Sequence, residues 1–114
     1  MRIEKVLRII ESNFHRALSI GEMAMVVNLS YSRLEHLFKA EMGITPTSYL
    51  KNIRIEKARE LLETTFLTNQ QIMTRVGLSD ESHFARDFKK AYGLRPRQYR
   101  TQYHVENNQG KVEG

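Results

Sequence analysis

At 114 residues the chain is long enough for one domain, or for two very small subdomains sharing a connection, and 40% hydrophobic residues supply a modest core. There is no cysteine, which excludes disulfide frameworks, thiolate catalysis and Cys-ligated zinc. Eighteen Lys and Arg against 13 Asp and Glu leave a net charge of +5, a balance that fits a polyanionic partner. The lack of a signal peptide, and of any apolar run near the roughly 20 residues of a bilayer span, leads us to expect a cytoplasmic protein with no membrane partner.

Taken from the N-terminus, the apolar period is helical almost throughout. Ile3, Val6, Leu7, Ile10 and Phe14 fall on one face of a first helix. Ser19 is the expected N-cap of a short second helix that buries Ile20, Met23, Ala24 and Val27. Asn28 tolerates the left-handed conformation that ends such a helix sharply. Ser30 then caps a third helix carrying Leu34, Leu37 and Phe38 inward and stopping before Gly43.

A longer helix follows. Thr45 caps it, Pro46 takes the favoured first helical position, and Tyr49, Leu50, Ile53, Ala58, Leu61 and Leu62 form its apolar stripe. It runs to about Thr64, roughly 19 residues and so about 28 Å at 1.5 Å per residue. Thr68 caps a short helix with Ile72 and Val76, Gly77 takes the turn, Ser79 reads as a further cap, and Phe84 and Phe88 lie inward on a helix running to Gly93. Pro96 and Tyr99 open a last helix ending near Tyr103, and residues 104–114, "HVENNQGKVEG", have little to bury and read as a flexible tail.

The same punctuation thus occurs twice. "FKAEMGITPTSY" (Phe38 to Tyr49) and "FKKAYGLRPRQY" (Phe88 to Tyr99) share Phe, Lys, Gly, Pro and Tyr at a separation of 50. Val27 to Val76, Asn28 to Gly77 and Leu29 to Leu78 are separated by 49, so one extra residue lies around Asp80. Two copies are too few for a solenoid and indicate two equivalent sites.

A short helix, a sharp turn and a second helix make a helix-turn-helix unit, whose second helix enters the major groove of DNA when its outer face is polar. At 100° per residue, Ser32, His36 and Lys39 lie opposite Leu34, Leu37 and Phe38, with Arg33 and Glu35 on the flanks. In the second copy Ser82, Arg86 and Lys89 lie opposite Phe84 and Phe88, with His83 and Lys90 on one flank. Each outer face is small near the helix start, where a backbone can approach, and cationic further along, where long side chains reach base edges or phosphates. Either face alone also suits an ordinary solvated surface; their recurrence at equivalent places favours the nucleic-acid reading.

"LSYSRLEHLFKAEMGITPTSYLKNIRIEKARELLETT" and "GLSDESHFARDFKKAYGLRPRQYR" resemble the AraC/XylS family of bacterial transcription regulators, and the match covers the chain from Arg2 to Tyr103. The resemblance implies an all-α domain of about seven helices, divided into a first helix-turn-helix subdomain (2–44), a linker helix (45–64) and a second subdomain (65–103). It implies base reading by Tyr31, Ser32, Glu35 and His36 in the first recognition helix and by Glu81, Ser82, His83 and Arg86 in the second. Arg33, Lys39, Thr45, Lys89, Arg95 and Arg97 would meet phosphates, with backbone N–H groups of the helices starting at Thr45 and Arg95. The implied partner is double-stranded DNA of a promoter or operator, with RNA polymerase as a further candidate, a monomeric isolated domain and no cofactor.

Four residues stand out against the family pattern. Met73 stands where a small Ala is usual, which bears on how closely two helices cross. Arg95 replaces the Ser that commonly precedes the second Pro, adding charge and losing a cap. Glu35 and Glu81 are acids at reading positions: each accepts from cytosine N4 or faces solvent, and solvent suits Glu81, at the helix start where the dipole favours an acid.

Two other classes were weighed. An enzyme is disfavoured, since His15, His36, His83 and His104 lack metal-ligand spacing and neither a phosphate loop nor a nucleophile motif occurs. A helical protein-interaction domain would use Tyr31, Tyr92 and Tyr103 as anchors. Core or junction packing is the preferred role of Tyr49, Tyr92 and Tyr99.

Overall fold

The structure, a computed structural model, describes residues 2–113, with side chains over 2–107. These residues form seven helices and no strand: α1 (Arg2–Asn13), α2 (Ile20–Val26), α3 (Tyr31–Met42), α4 (Pro46–Thr64), α5 (Asn69–Val76), α6 (Glu81–Tyr92) and α7 (Pro96–Glu113). They fall into two compact units, Met1–Arg54 and Ile55–Gly114, so the boundary runs through α4.

Local chemistry starts and stops the helices. Ser19 accepts the Glu22 N–H at 3.0 Å, Ser30 the Arg33 N–H at 3.1 Å, and Thr45 the Ser48 N–H at 3.2 Å. Thr68 and Gln71 form a reciprocal capping box at the start of α5. Asn28 and Gly77 hold the turns with φ of 56° and 84°. Past each, a leucine N–H reaches back to close the helix end: Leu29 to the Ala24 carbonyl at 3.0 Å, and Leu78 to the Met73 carbonyl at 2.8 Å. Gly43 and Gly93 end α3 and α6 in the same left-handed region.

The first unit's core gathers Ile3, Val6 and Ile10 from α1, Ile20, Met23 and Ala24 from α2, Leu34 and Phe38 from α3, and Leu50 from α4. Leu18 and Val27 are buried with them, and Leu7, Phe14 and Tyr49 pack against the cluster. Arg54 fastens the loop after α1, donating to the Phe14 and Arg16 carbonyls, each at 2.8 Å. The second unit buries Ile55, Ala58 and Leu62 from α4, Ile72, Met73 and Val76 from α5, and Phe84 and Phe88 from α6. Arg100 donates to the Leu62 and Thr65 carbonyls, each at 3.2 Å, and fastens the end of α4.

The duplication extends further back than the motif suggests. Ile3, Val6 and Ile10 share their spacing with Ile55, Ala58 and Leu62, 52 positions on. The Asn13 amide donates to the Ile9 carbonyl as the Thr65 hydroxyl donates to the Leu61 carbonyl, again 52 apart. Six residues, 14–19, join α1 to α2, against four, 65–68, between α4 and α5.

Three expectations change. First, α4 has no single apolar stripe: it serves a different core in each unit, so Ile55 is buried while Leu61 is half-buried. Second, Asp80 rather than Ser79 caps α6, taking the His83 N–H at 2.8 Å. Ser79 is the extra residue of the second copy, which shifts the cap one place on. Third, the last helix does not end near Tyr103. Tyr103 stacks on Tyr99 at 6.3 Å and 16°, His104 meets the Tyr103 ring edge-on at 5.5 Å, and Gln102 donates to Glu106 at 3.2 Å. The two contacts four residues apart, Tyr99–Tyr103 and Gln102–Glu106, carry α7 past Tyr103 into residues read as a tail; Gly114 lies outside the described residues.

Candidate nucleic-acid interface

Helices α3 and α6 have the same burial at each of ten consecutive positions, 31–40 against 81–90. Leu34 and Phe38 are buried where Phe84 and Phe88 are buried; residues 35, 37, 85 and 87 are half-buried; the rest are exposed. Two apolar residues four apart seat each helix, and the outer face follows from helical period alone.

On α3 this exposes Tyr31, Ser32, Arg33, His36 and Lys39, and leaves Glu35 half-buried on the flank. On α6 it exposes Glu81, Ser82, His83, Arg86 and Lys89. Arg95 and Arg97, at the start of α7, are exposed as well; Thr45 at the start of α4 is half-buried. The Thr45 hydroxyl is engaged with Ser48 in both directions, so the Ser48 N–H is already satisfied within the chain. Arg95 has no side-chain acceptor to offer the first-turn N–H groups of α7; the Gln98 side chain accepts the Arg95 N–H at 3.2 Å, which is one half of a capping box.

The second unit adds a concavity of about 740 Å³ lined by Glu81, Ser82, Ala85, Arg86, Lys89, Lys90 and Arg95. Five of these residues come from the two predicted sets, one read as facing bases and one as facing phosphates. Lys90, read as a flank of the outer face, belongs to neither set, and Ala85 has no counterpart in the sequence reading. Lys90 follows Arg86 by four positions, the helical spacing that brings two side chains together. Ala85 stands where the first copy has Glu35, and it adds only a methyl group to the lining.

Electrostatics keep α6 ready at its N-terminus. The His83 backbone N–H, then the His83 ring 3.5 Å away, hold the Asp80 carboxyl below its ordinary range. Arg86 lies 3.9 Å from Asp87, yet its side chain is 69% exposed, so its guanidinium keeps its reach outward.

Residues 23–102 match the model of a family described as "Helix-turn-helix domain". The chain is 39% identical over 90 residues to the arabinose operon regulatory protein of Escherichia coli, a stretch covering 79% of this chain and 30% of that protein. It spans about a third of the length of the curated relatives it matches. Among solved structures it is similar to the C-terminal domain of AraT, a response regulator from Geobacillus stearothermophilus: 35% identity, TM-score 0.82, covering 89% of this chain and 84% of that one. The fold is also that of the DNA-binding domain of AdpA, solved with a target DNA, at TM-score 0.86 and 22% identity over 95% of this chain and 97% of that one. The chain belongs to the AraC/XylS family of helix-turn-helix domains.

Proposed function

We propose that this chain is a sequence-specific double-stranded DNA-binding module that regulates transcription, with α3 and α6 entering adjacent major-groove segments of a promoter or operator. Its subdomains would be residues 2–44 and 65–103, carried on the linker 45–64. The observation that carries this reading is the position-by-position identity of burial on the two outer faces, each polar and each seated by two apolar residues. Tyr31, Ser32, Glu35 and His36 read one half-site, and Glu81, Ser82, His83 and Arg86 the other. Arg33, Lys39, Thr45, Lys89, Arg95 and Arg97 meet phosphates. It acts in the cytoplasm without catalysis or cofactor, and RNA polymerase is a candidate further partner.

Selection of bound duplexes from a random pool tests this: two short half-sites about one helical turn apart, 34–36 Å, are expected. Arg86→Ala loses discrimination at particular base pairs, roughly 1–3 kcal/mol. Lys39→Ala weakens all sequences alike and flattens the salt dependence by about one unit of slope. A variant lacking Arg86 that kept the parent's sequence preference would remove that residue from the reading set. A chain that ignored every duplex in dilute buffer would favour the protein-interaction domain.

A further inference from the structure

We infer that the two recognition units grip DNA unequally, with most of the phosphate contact supplied by the second. The inference rests on the DNA-binding reading above and goes beyond it by assigning different electrostatic work to two surfaces of the same shape.

Residues 31–50 and 81–100 occupy matching places, 50 apart, and their burial differs at only two positions of twenty. Their charges do not match. The first stretch holds two cations, Arg33 and Lys39, against two acids, Glu35 and Glu41. The second holds six cations against two acids, Glu81 and Asp87, a net of +4 in a chain whose total is +5. The second stretch gains a cation at five matched places, His36 against Arg86, Ala40 against Lys90, Thr45 against Arg95, Thr47 against Arg97 and Leu50 against Arg100, and loses one where His83 stands for Arg33.

Arg100 is held inside the second unit by the Leu62 and Thr65 carbonyls, and burial lowers its pKa, so it belongs to the fold. The other five, Arg86, Lys89, Lys90, Arg95 and Arg97, are exposed, and four of them line one concavity. Cations gathered around one depression repel one another, and Arg95 and Arg97 also sit at the positive end of the α7 dipole with no acid in its first turn. That arrangement is unfavourable within the chain and becomes favourable against a polyanionic backbone. Residues 31–50, with two acids against two cations, gain much less from phosphate.

Counterion release turns this into a measurement, since each neutralised phosphate adds roughly 0.9 to the slope of log affinity against log salt. The full chain is titrated with salt on a duplex selected from a random pool, alongside two variants. Arg33→Ala/Lys39→Ala is expected to lower the slope by about 2 units, and Lys89→Ala/Lys90→Ala/Arg95→Ala/Arg97→Ala by about 4. Thermal melts confirm that each variant is folded. A second arm needs no mutation: on duplexes cut down to a single half-site, one half-site retains most of the parent slope and the other little. Equal losses from the two variants, or equal slopes on the two half-sites, overturn the inference and leave the DNA-binding reading standing. A parent chain that binds no duplex at low salt takes both down.

Discussion

Leu7 and Arg59, Met42 and Tyr92, Ala24 and Met73, Tyr49 and Tyr99 are four pairs in matching places of the two units. In the first unit, Leu7, Met42 and Tyr49 pack against an apolar cluster, and the Tyr49 ring meets Phe38 edge-on at 5.6 Å. In the second, the wall beside Phe88 is polar and aromatic. Arg59 donates to Glu63 at 2.8 Å, the Tyr99 hydroxyl donates to the same carboxylate oxygen, and the Arg59 guanidinium lies 5.6 Å above the Tyr92 ring. Phe88 packs on Tyr92 and Tyr99 at 4.9 and 5.4 Å. Glu11, in the place of Glu63, is exposed. The caps, turns and helix starts repeat, while the packing that holds them is built from different chemistry. What the duplication preserves is the placement of a recognition helix; the means of holding it is free to vary.

The largest effect should come from the ring at the centre of the second unit. Phe88 is fully buried and touches Phe84, Tyr92 and Tyr99. Phe88→Ala is expected to cost roughly 3–5 kcal/mol, seen as a depressed thermal melt with early loss of hydrogen-exchange protection in α6. A melt equal to the parent's would mean the aromatic wall holds the unit without it. Next in size is the exchange at the helix crossing of each unit. Met73 is fully buried where the first unit has Ala24, so Met73→Ala should leave a cavity costing about 2–4 kcal/mol. Ala24→Met should overpack the first unit by about 1–3 kcal/mol. If either change were neutral in a denaturant titration, the two crossings would be interchangeable and the packing difference incidental.

Much of this was readable beforehand, for physical reasons. Ser19, Ser30, Thr45 and Thr68 precede apolar periodic runs, and the orphan N–H groups of a helix start leave such residues few other roles. Asn28 and Gly77 were readable because few residues take a positive φ without strain. The sequence alone did not separate Ser79 from Asp80: both are good caps, and only the one-residue slip decides. Nor did it give the extent of α7, which rests on the Tyr99–Tyr103 stack and therefore on contacts rather than on propensity. Ile55 was missed because a single apolar stripe was assumed for a helix that serves two cores. Arg54 and Arg100 were invisible as clamps, since the carbonyls they bind lie 35 to 40 residues away in the chain. On the outer faces, helical period found nearly every exposed residue; it did not find the concavity, whose lining joins one face of α6 to Arg95 just before α7.

The smallest predicted effect isolates the polar wall itself. Burial first, and the hydrogen bond to Glu63 next, raise the pKa of the Tyr99 hydroxyl. A raised folded-state value means that the neutral phenol stabilises the fold fully below the ordinary tyrosine value near 10, and that this contribution is lost as pH rises through the folded value. Tyr99→Phe removes the donor while leaving the ring and the Arg59–Glu63 pair in place. The cost at neutral pH is about 1 kcal/mol, at the low end for a bond to a charged group because the site is only half-buried. Above about pH 10 the parent's advantage should shrink, since ionised Tyr99 would face the Glu63 carboxylate. The two chains' denaturation midpoints should therefore converge as pH rises. Parallel pH profiles would show that the hydroxyl contributes nothing that ionisation can remove, and the polar part of the second unit's wall would then rest on Arg59 with Glu63 and Tyr92 alone.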